Sequence, residues 1–123
     1  REVAAWKNLV RAEWPYIEVL SVVKPDSSTA LENEFKSEVI LKINKLMPND
    51  IGVEVLFATY DAKGSMHIQQ SIQYDCVEFK DYVAKYTADI IPDHSGTYQV
   101  AVRMYPKSEM LSSRQALDLV RWL

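Results

Sequence analysis

The residue types that most often carry catalysis or bind metals are sparse in this chain. Its two histidines, His67 and His94, have no second histidine or cysteine at metal-ligand spacing, so we expect surface positions for both. Asp93, His94 and Ser95 are the residue types of a hydrolytic triad, but neighbours in one turn cannot orient one another as a triad requires. Cys76 closes an apolar alternation, which predicts a buried small side chain instead of a nucleophile. The sequence therefore predicts no catalytic residue and no metal ligand.

The aromatic residues are the remaining candidates for contact with a ligand. Three tryptophans and seven tyrosines are enough to build a platform on which flat sugar rings could stack. Packing in the core or between domains explains most of them better. Tyr105 is opposite in phase to Tyr98 and Met104, which predicts an exposed side chain. Tyr105 and Tyr60 are therefore the residues that we assign to a sugar contact.

Length and composition indicate one ordinary globular domain. A chain of 123 residues can bury roughly two thirds of its unfolded surface without disulfides. The single cysteine cannot form an internal disulfide and fits a reducing compartment. The net charge of −3, with no block of lysine or arginine, disfavours nucleic acid as a partner. No apolar run approaches the ~20 residues of a membrane-spanning helix, so we expect no membrane segment.

An N-terminal helix is predicted by an apolar stripe with spacings of three and four residues. The stripe comprises Val3, Trp6, Val10 and Trp14. Pro15 ends the helical pattern, and the period changes to two beyond it. We therefore divide the chain into a linking helix at 1–15 and a β-sandwich domain at 16–123. Because the sequence begins without methionine inside a helical pattern, we expect it to be a fragment of a larger protein.

Strands are predicted beyond the helix, where apolar and polar residues alternate at 39–46, 53–57, 66–76 and 98–104. Turn residues separate these segments and no helix-length periodic segment intervenes, which favours antiparallel pairing. The fold class is thus all-β, an antiparallel sandwich of about seven strands with one N-terminal α-helix. The polar segment 24–34 has no period and predicts a loop. One face of 66–76 is predicted to carry Met66, Ile68, Ile72, Tyr74 and Cys76.

The segment from Asp93 through Gly96 to Tyr98 resembles the tyrosine corner of immunoglobulin domains. In that corner the tyrosine hydroxyl bonds to upstream backbone and fixes the crossing between the two sheets. The resemblance predicts a buried Tyr98 and an immunoglobulin-like sandwich. Val100 stands where antibody domains have their second cysteine. A tyrosine corner is a packing device and indicates no ligand.

Several segments resemble the C-terminal domain of bacterial α-glucan phosphorylases, the enzymes of glycogen, starch and maltodextrin breakdown. They are 96–106 and 119–123 near the end of the chain, 39–46 and 48–55 in its middle, and Ala5-Trp6-Lys7, Val10-Arg11 and Trp14-Pro15 near its start. The resemblance covers nearly the whole chain. It implies a sandwich entered from a tryptophan-bearing helix that leaves the catalytic core. We therefore expect the helix stripe to make an inter-domain contact and to lie partly uncovered here.

The resemblance implies that the parent is a cytoplasmic glycosyltransferase that uses pyridoxal phosphate to cleave α-1,4-glucan with phosphate, releasing glucose 1-phosphate. No lysine here matches the family's cofactor lysine, so we expect this fragment to be non-catalytic and to bind no cofactor. Its expected role is structural, with the parent's catalytic domain as partner and a second copy or α-glucan as further partners. Two alternatives stay open, a glucan-binding module and an unrelated immunoglobulin-like adhesion domain. An exposed cluster of aromatic side chains would favour the first alternative.

Overall fold

The computed structural model describes residues 3–25, 28–31, 34–91, 96–107 and 119–123, which form one helix and two antiparallel sheets. The helix α1 spans Val3–Glu13, and 3-10 turns follow at Trp14–Tyr16 and Pro48–Asp50. The strands are β1 (Glu18–Val23), β2 (Ser28–Leu31), β3 (Phe35–Lys42), β4 (Ile51–Tyr60), β5 (Met66–Gln73), β6 (Asp75–Lys80), β7 (Val83–Ile90), β8 (Gly96–Pro106) and β9 (Arg121–Trp122).

The two sheets have separate strand orders. The first sheet has the order β1-β3-β7-β6, and the second has the order β2-β8-β4-β5 with β9 also paired to β8. These findings confirm the predicted all-β sandwich with one N-terminal helix. The described residues contain more strands than the predicted seven, partly because β2 forms inside the segment 24–34. That segment has no alternation of its own, and pairing with Gly96–Gln99 of β8 makes part of it a strand.

The core lies between the sheets and includes one face of α1. Alternate residues of β3, β4, β7 and β8 point into it, as the period of two predicts. Trp6, Val10 and Trp14 belong to the same cluster and are at most 6% exposed. The Trp6 indole Nε1 donates a hydrogen bond to Asp50 Oδ1 over 2.8 Å, which joins the helix to the turn before β4. Burial of the indole is thus matched by a partner for its polar atom.

The expectation of a partly uncovered helix stripe is wrong at Trp6, Val10 and Trp14. These side chains pack in one buried cluster with residues of both sheets; Trp6 and Val10 lie one turn apart on α1, and Trp14 follows in the 3-10 turn. The side chain of Val3 lies outside the described residues. The helix therefore shares the core of the domain through these three positions.

The C-terminal residues 119–123 bind the start of the sandwich. The Arg121 guanidinium donates Nη1 to the Ile17 carbonyl over 2.6 Å and Nη2 to the Trp14 carbonyl over 2.7 Å. Lys24 Nζ donates to the Leu123 carbonyl over 2.6 Å. Hydrogen bonds from charged donors contribute about 1.5–3 kcal/mol each, so this segment secures the end of the helix.

Bulges interrupt the pairing of three edge strands. Leu20 in β1, Gln69 in β5 and Val77 in β6 each lie where the register shifts by one residue. A bulge changes the phase of the strand beyond it, so that side chains reach the opposite face. Such interruptions also hinder pairing with a foreign strand at a sheet edge.

The bulge at Gln69 corrects the predicted face of β5. Ile72 lies opposite Val55 on the core face, but Ile68 lies opposite Ala58 and Met66 opposite Tyr60 on the outer face. The prediction that Met66 and Ile68 share the face of Ile72 is therefore wrong, because an alternation count does not include the extra residue.

The β6–β7 connection is a two-residue turn with an unusual residue in it. Lys80 pairs with Val83, and the residues between them, Asp81 and Tyr82, have φ angles of 53° and 67°. Tight hairpin turns with two left-handed residues favour asparagine, aspartate and glycine. A left-handed conformation costs an L-residue with a Cβ about 1–2 kcal/mol. The tyrosine is 62% exposed, so core burial does not offset this cost.

Two buried tyrosines make the stability of the fold depend on alkaline pH. Tyr74 shares a 2.6 Å hydrogen bond with the Ser37 hydroxyl, and Tyr86 donates to the Pro48 carbonyl over 2.9 Å. Burial raises the pKa of both phenols above the usual value, although the hydrogen bond with Ser37 lowers that of Tyr74 again in part. The unfolded chain therefore loses these protons at a lower pH than the folded chain does.

We expect the free energy of unfolding to fall as the pH rises above about 10, where unfolded tyrosines ionise. Urea unfolding between neutral and strongly alkaline pH measures this decrease. Tyr74→Phe removes one of the two groups and is expected to make the decrease shallower, whereas Tyr16→Phe changes an exposed phenol and serves as the control. An equal pH dependence for the wild type and Tyr74→Phe would contradict the expectation.

Candidate functional site

The outer face of the second sheet is the surface with the most unusual composition. Residues of β4 that point away from the core are nevertheless buried, with Glu54 at 0%, Leu56 at 7% and Ala58 at 5% exposure. The face has a polar cluster near the start of β4 and an exposed apolar patch near its end. We define the polar cluster as Gly52, Glu54, Gln73, Arg103 and Tyr105, and the hairpin patch as Tyr60, Met66 and Ile68.

Register assembles the polar cluster around Glu54. Gln73 of β5 and Arg103 of β8 both lie directly opposite this residue, one on each side. Arg103 Nε donates to Glu54 Oε1 over 2.6 Å, and Nη2 of the same guanidinium also contacts that oxygen. Gln73 Nε2 donates to Oε2 over 2.6 Å. Both carboxylate oxygens are thus bonded, as a fully buried charge requires.

Tyr105 completes the cluster and lies over Gly52. Its hydroxyl donates to Gln73 Oε1 over 2.6 Å, and the side chain is 4% exposed. A Cβ on Gly52 would come within 2.3 Å of the tyrosine ring, so only glycine leaves room for it. The predicted exposure of Tyr105 is therefore wrong. An isolated glycine within a strand, which signals a close approach, was the sequence feature that could have indicated this packing.

The polar cluster is a closed hydrogen-bond network. The Glu54 carboxylate accepts from the Arg103 guanidinium on one oxygen and from the Gln73 amide on the other. Trp122 of β9 lies opposite Arg103, with the guanidinium carbon 5.7 Å from the ring centroid. These contacts join β4, β5, β8 and β9 across one face. Sequence reasoning missed the cluster because its members come together only through strand register.

The hairpin patch is apolar and exposed. Tyr60, Met66 and Ile68 are 58%, 55% and 54% exposed, and Met66 lies directly opposite Tyr60. Leu56 and Ala58 continue the same face toward the polar cluster. Tyr60 thus has the exposure expected for a contact residue, but its neighbours are an isoleucine and a methionine. This composition is more typical of a surface that contacts another protein domain than of a platform for sugar rings.

The β4–β5 turn holds the hairpin patch in place through Asp61. Asp61 Oδ1 accepts backbone hydrogen bonds from Lys63 and Ser65, and Oδ2 shares a 2.8 Å hydrogen bond with His67 Nε2. The bond with His67 and the backbone bonds lower the pKa of the Asp61 carboxyl. The predicted surface position of His67 is confirmed.

The remaining candidate residues have diverse positions. Tyr98 is half-buried, not buried as predicted, and its ring meets Phe57 edge to face at 5.9 Å. Gly96 begins β8, whereas Asp93 and the other residues of the predicted corner up to Ser95 lie outside the described residues. Cys76 is exposed, contrary to prediction, because it lies on the edge strand β6 beside the bulge.

Comparison with known families assigns the chain. Residues 14–123 match the family described as the glycogen phosphorylase C-terminal domain. The chain belongs to this family. The match confirms the resemblance drawn from the sequence, and no curated protein and no solved structure matches the chain. Helix α1 precedes the matched span of this glycogen phosphorylase C-terminal domain, yet Trp6 bonds to Asp50 inside it.

Two further observations concern the ranges that the structure describes. Within them, no three histidine, cysteine, aspartate or glutamate side chains of this glycogen phosphorylase C-terminal domain converge as metal ligands. The same part of the chain contains no helix with the length and apolar character needed to span a bilayer.

Proposed function

We propose that the chain is the non-catalytic C-terminal accessory domain of an α-glucan phosphorylase. The parent enzyme would transfer glucosyl units from α-1,4-glucan to phosphate, releasing glucose 1-phosphate in the cytoplasm. Pyridoxal phosphate would be bound by the catalytic domain, and this C-terminal domain would hold no cofactor. Its role is to pack against the catalytic domain of the same chain through the hairpin patch.

The hairpin patch is the observation that carries this proposal. Its three apolar side chains are more than half exposed and adjacent on paired strands, which is typical of an interaction surface. The bulge at Gln69 places two of them there, because an uninterrupted β5 would keep Ile68 and Met66 in phase with Ile72. An extra residue that turns apolar side chains outward is better explained by a partner than by folding.

The bonding of the buried polar groups supports a structural role. Asp50 accepts hydrogen bonds from the Trp6 indole and the Met47 amide, and Glu54 is bound by Arg103 and Gln73. Each of these groups joins separate elements of the fold. A group committed in this way is poorly suited to bind and release a substrate.

Ile68→Lys in the full-length enzyme tests the docking surface. We expect the lysine to weaken packing on the catalytic domain, because burying an unpaired charge there is unfavourable. Limited proteolysis should then release the domain faster than from the wild-type enzyme, and the enzyme's melting temperature should fall. The same substitution in the isolated domain should change its unfolding free energy little, because Ile68 is 54% exposed.

Val77→Lys is the matched control, since Val77 is 57% exposed on the other sheet. Equal effects of the two substitutions on domain release would contradict the docking surface. Light scattering of the isolated domain checks the competing partner, a second copy of the chain. If the isolated domain is a dimer and Ile68→Lys dissociates it, the partner of the hairpin patch is a second copy of the chain and not the catalytic domain. The non-catalytic assignment fails if the isolated domain releases glucose 1-phosphate from maltodextrin.

A further inference from the structure

We propose that a second surface, beside residues 43 and 44 at the end of β3, binds α-glucan by stacking sugar rings on Tyr16 and Tyr82. We call this surface the tyrosine end. Both tyrosines are mostly exposed, at 68% and 62%. Both belong to the seven tyrosines that could build a sugar platform, but the sequence assigned a sugar contact only to Tyr60 and Tyr105.

Hydrogen bonds to the backbone carbonyls of the two tyrosines hold both residues beside the same dipeptide. The Tyr16 carbonyl accepts a 3.0 Å hydrogen bond from Asn44 Nδ2, and the Tyr82 carbonyl accepts a 2.8 Å hydrogen bond from the Ile43 amide. Residues 43 and 44 are neighbours, and consecutive Cα atoms are about 3.8 Å apart. The fold therefore anchors both tyrosine backbones to a single dipeptide and leaves both side chains in solvent.

The conformation of Tyr82 is the second observation. It occupies the second position of the β6–β7 turn with a φ of 67°, where glycine would fold with less strain. The exposed ring gains little from packing within the domain. Strained residues of this kind cluster at functional sites, and a ligand contact gives the ring a role that folding does not.

The surroundings of the turn suit a neutral, hydroxyl-rich ligand. Beside Tyr82 lies an open depression of about 450 Å³ on the outer face of the first sheet. It is lined by Ile40, Glu78, Lys80, Asp81, Val83 and Lys85. The lining has two carboxylates and two ammonium groups, of which Lys85 also pairs with Glu38 over 3.3 Å, and such groups can accept from and donate to hydroxyls. An aromatic face beside such groups favours a pyranose over an anion or an apolar ligand.

The identification of the sugar as an α-glucan rests on the proposed function, whereas the exposure of the two tyrosines and their bonds to residues 43 and 44 do not. Two stacked rings give weak binding, so we expect a dissociation constant for maltoheptaose of about 1 mM or weaker. Glycogen presents many chain ends at once, and this multivalency raises the apparent affinity. The tyrosine end would thus hold the enzyme on its polymer without binding short products strongly.

Native gel electrophoresis of the 123-residue chain with glycogen in the gel tests the proposal. We expect glycogen to retard the wild type, and Tyr16→Ala or Tyr82→Ala to weaken the apparent affinity about tenfold or more. Tyr60→Ala is the matched control, because this tyrosine is 58% exposed at the end of β4, within the hairpin patch, and its loss should leave retardation unchanged. Tyr82→Gly should raise the urea midpoint of unfolding while still losing retardation, which separates binding from folding.

Several results would overturn the proposal. The first is that glycogen does not retard the wild type. The second is that Tyr60→Ala loses as much retardation as Tyr16→Ala or Tyr82→Ala, and the third is that Tyr82→Gly is retarded as strongly as the wild type. Retardation by a β-glucan but not by glycogen would overturn the assignment to α-glucan. Such failures are distinguishable from failure of the proposed function, because the Ile68→Lys experiment measures domain release from the enzyme and involves no sugar.

Discussion

Arg103→Met is expected to destabilise the domain by about 3–5 kcal/mol, because it removes the guanidinium that faces a fully buried carboxylate. Methionine keeps much of the arginine stem, so the packing contributed by the methylene groups is largely retained. The loss therefore reports mainly on the charge of Glu54. Urea denaturation at neutral pH measures it directly.

The double substitution Glu54→Leu with Arg103→Met is the control. Removing both partners of a buried ion pair costs far less than removing one, so we expect the double variant to be more stable than Arg103→Met alone. A cost below about 1 kcal/mol for the single variant would show that water screens the pair as at a surface. If the double variant is no more stable than Arg103→Met alone, packing contributes more than charge at this position.

Gly52→Ala is expected to cost about 3 kcal/mol, the upper end of the range for overpacking a buried site. The added Cβ would come within 2.3 Å of the Tyr105 ring, which cannot move without losing its hydrogen bond to Gln73. The unfolding free energy of the variant measures this cost. A change smaller than 1 kcal/mol would mean that the ring shifts freely.

Two further variants distinguish a steric clash with the Tyr105 ring from the cost of backbone strain. Gly64 has a φ of 81°, and a Cβ there would meet no other atom within 4 Å, so Gly64→Ala should cost only the left-handed penalty of about 1–2 kcal/mol. In a Tyr105→Ala background, Gly52→Ala should cost much less than in the wild type, because the clashing ring is gone. Equal costs in both backgrounds would contradict the steric explanation.

Local patterns in the sequence predicted the parts of the fold that depend on local geometry. The spacing of Trp6 and Val10 predicted a helix with one apolar face, though not that this sandwich covers it, and the alternation of Val39 and Leu41 predicted a half-buried strand. Each inference needs only the period of the element itself. Turn-forming residues between the strands likewise indicated antiparallel pairing, because a turn signal is also local in the sequence.

Features that depend on pairing could not be read in this way. The cluster around Glu54 requires knowledge of which residues of β5 and β8 lie opposite it. The bulge at Gln69 reverses the phase of Ile68, and no alternation count reveals an extra residue. The tyrosine end depends likewise on contacts between residues distant in sequence, Tyr16 with Asn44 and Tyr82 with Ile43.

The bonds from Arg121 have a consequence for how the domain folds during synthesis. Its partners, the carbonyls of Ile17 and Trp14, precede it by 104 and 107 positions. At about 5–20 residues per second, a ribosome needs about 5–20 seconds to add the intervening chain. Over that interval the end of α1 lacks these bonds, and Trp6 gains Asp50 only when the turn before β4 has emerged. The helix thus emerges well before the residues that bond to it, and Trp6 and Trp14 are accessible to chaperones in the meantime.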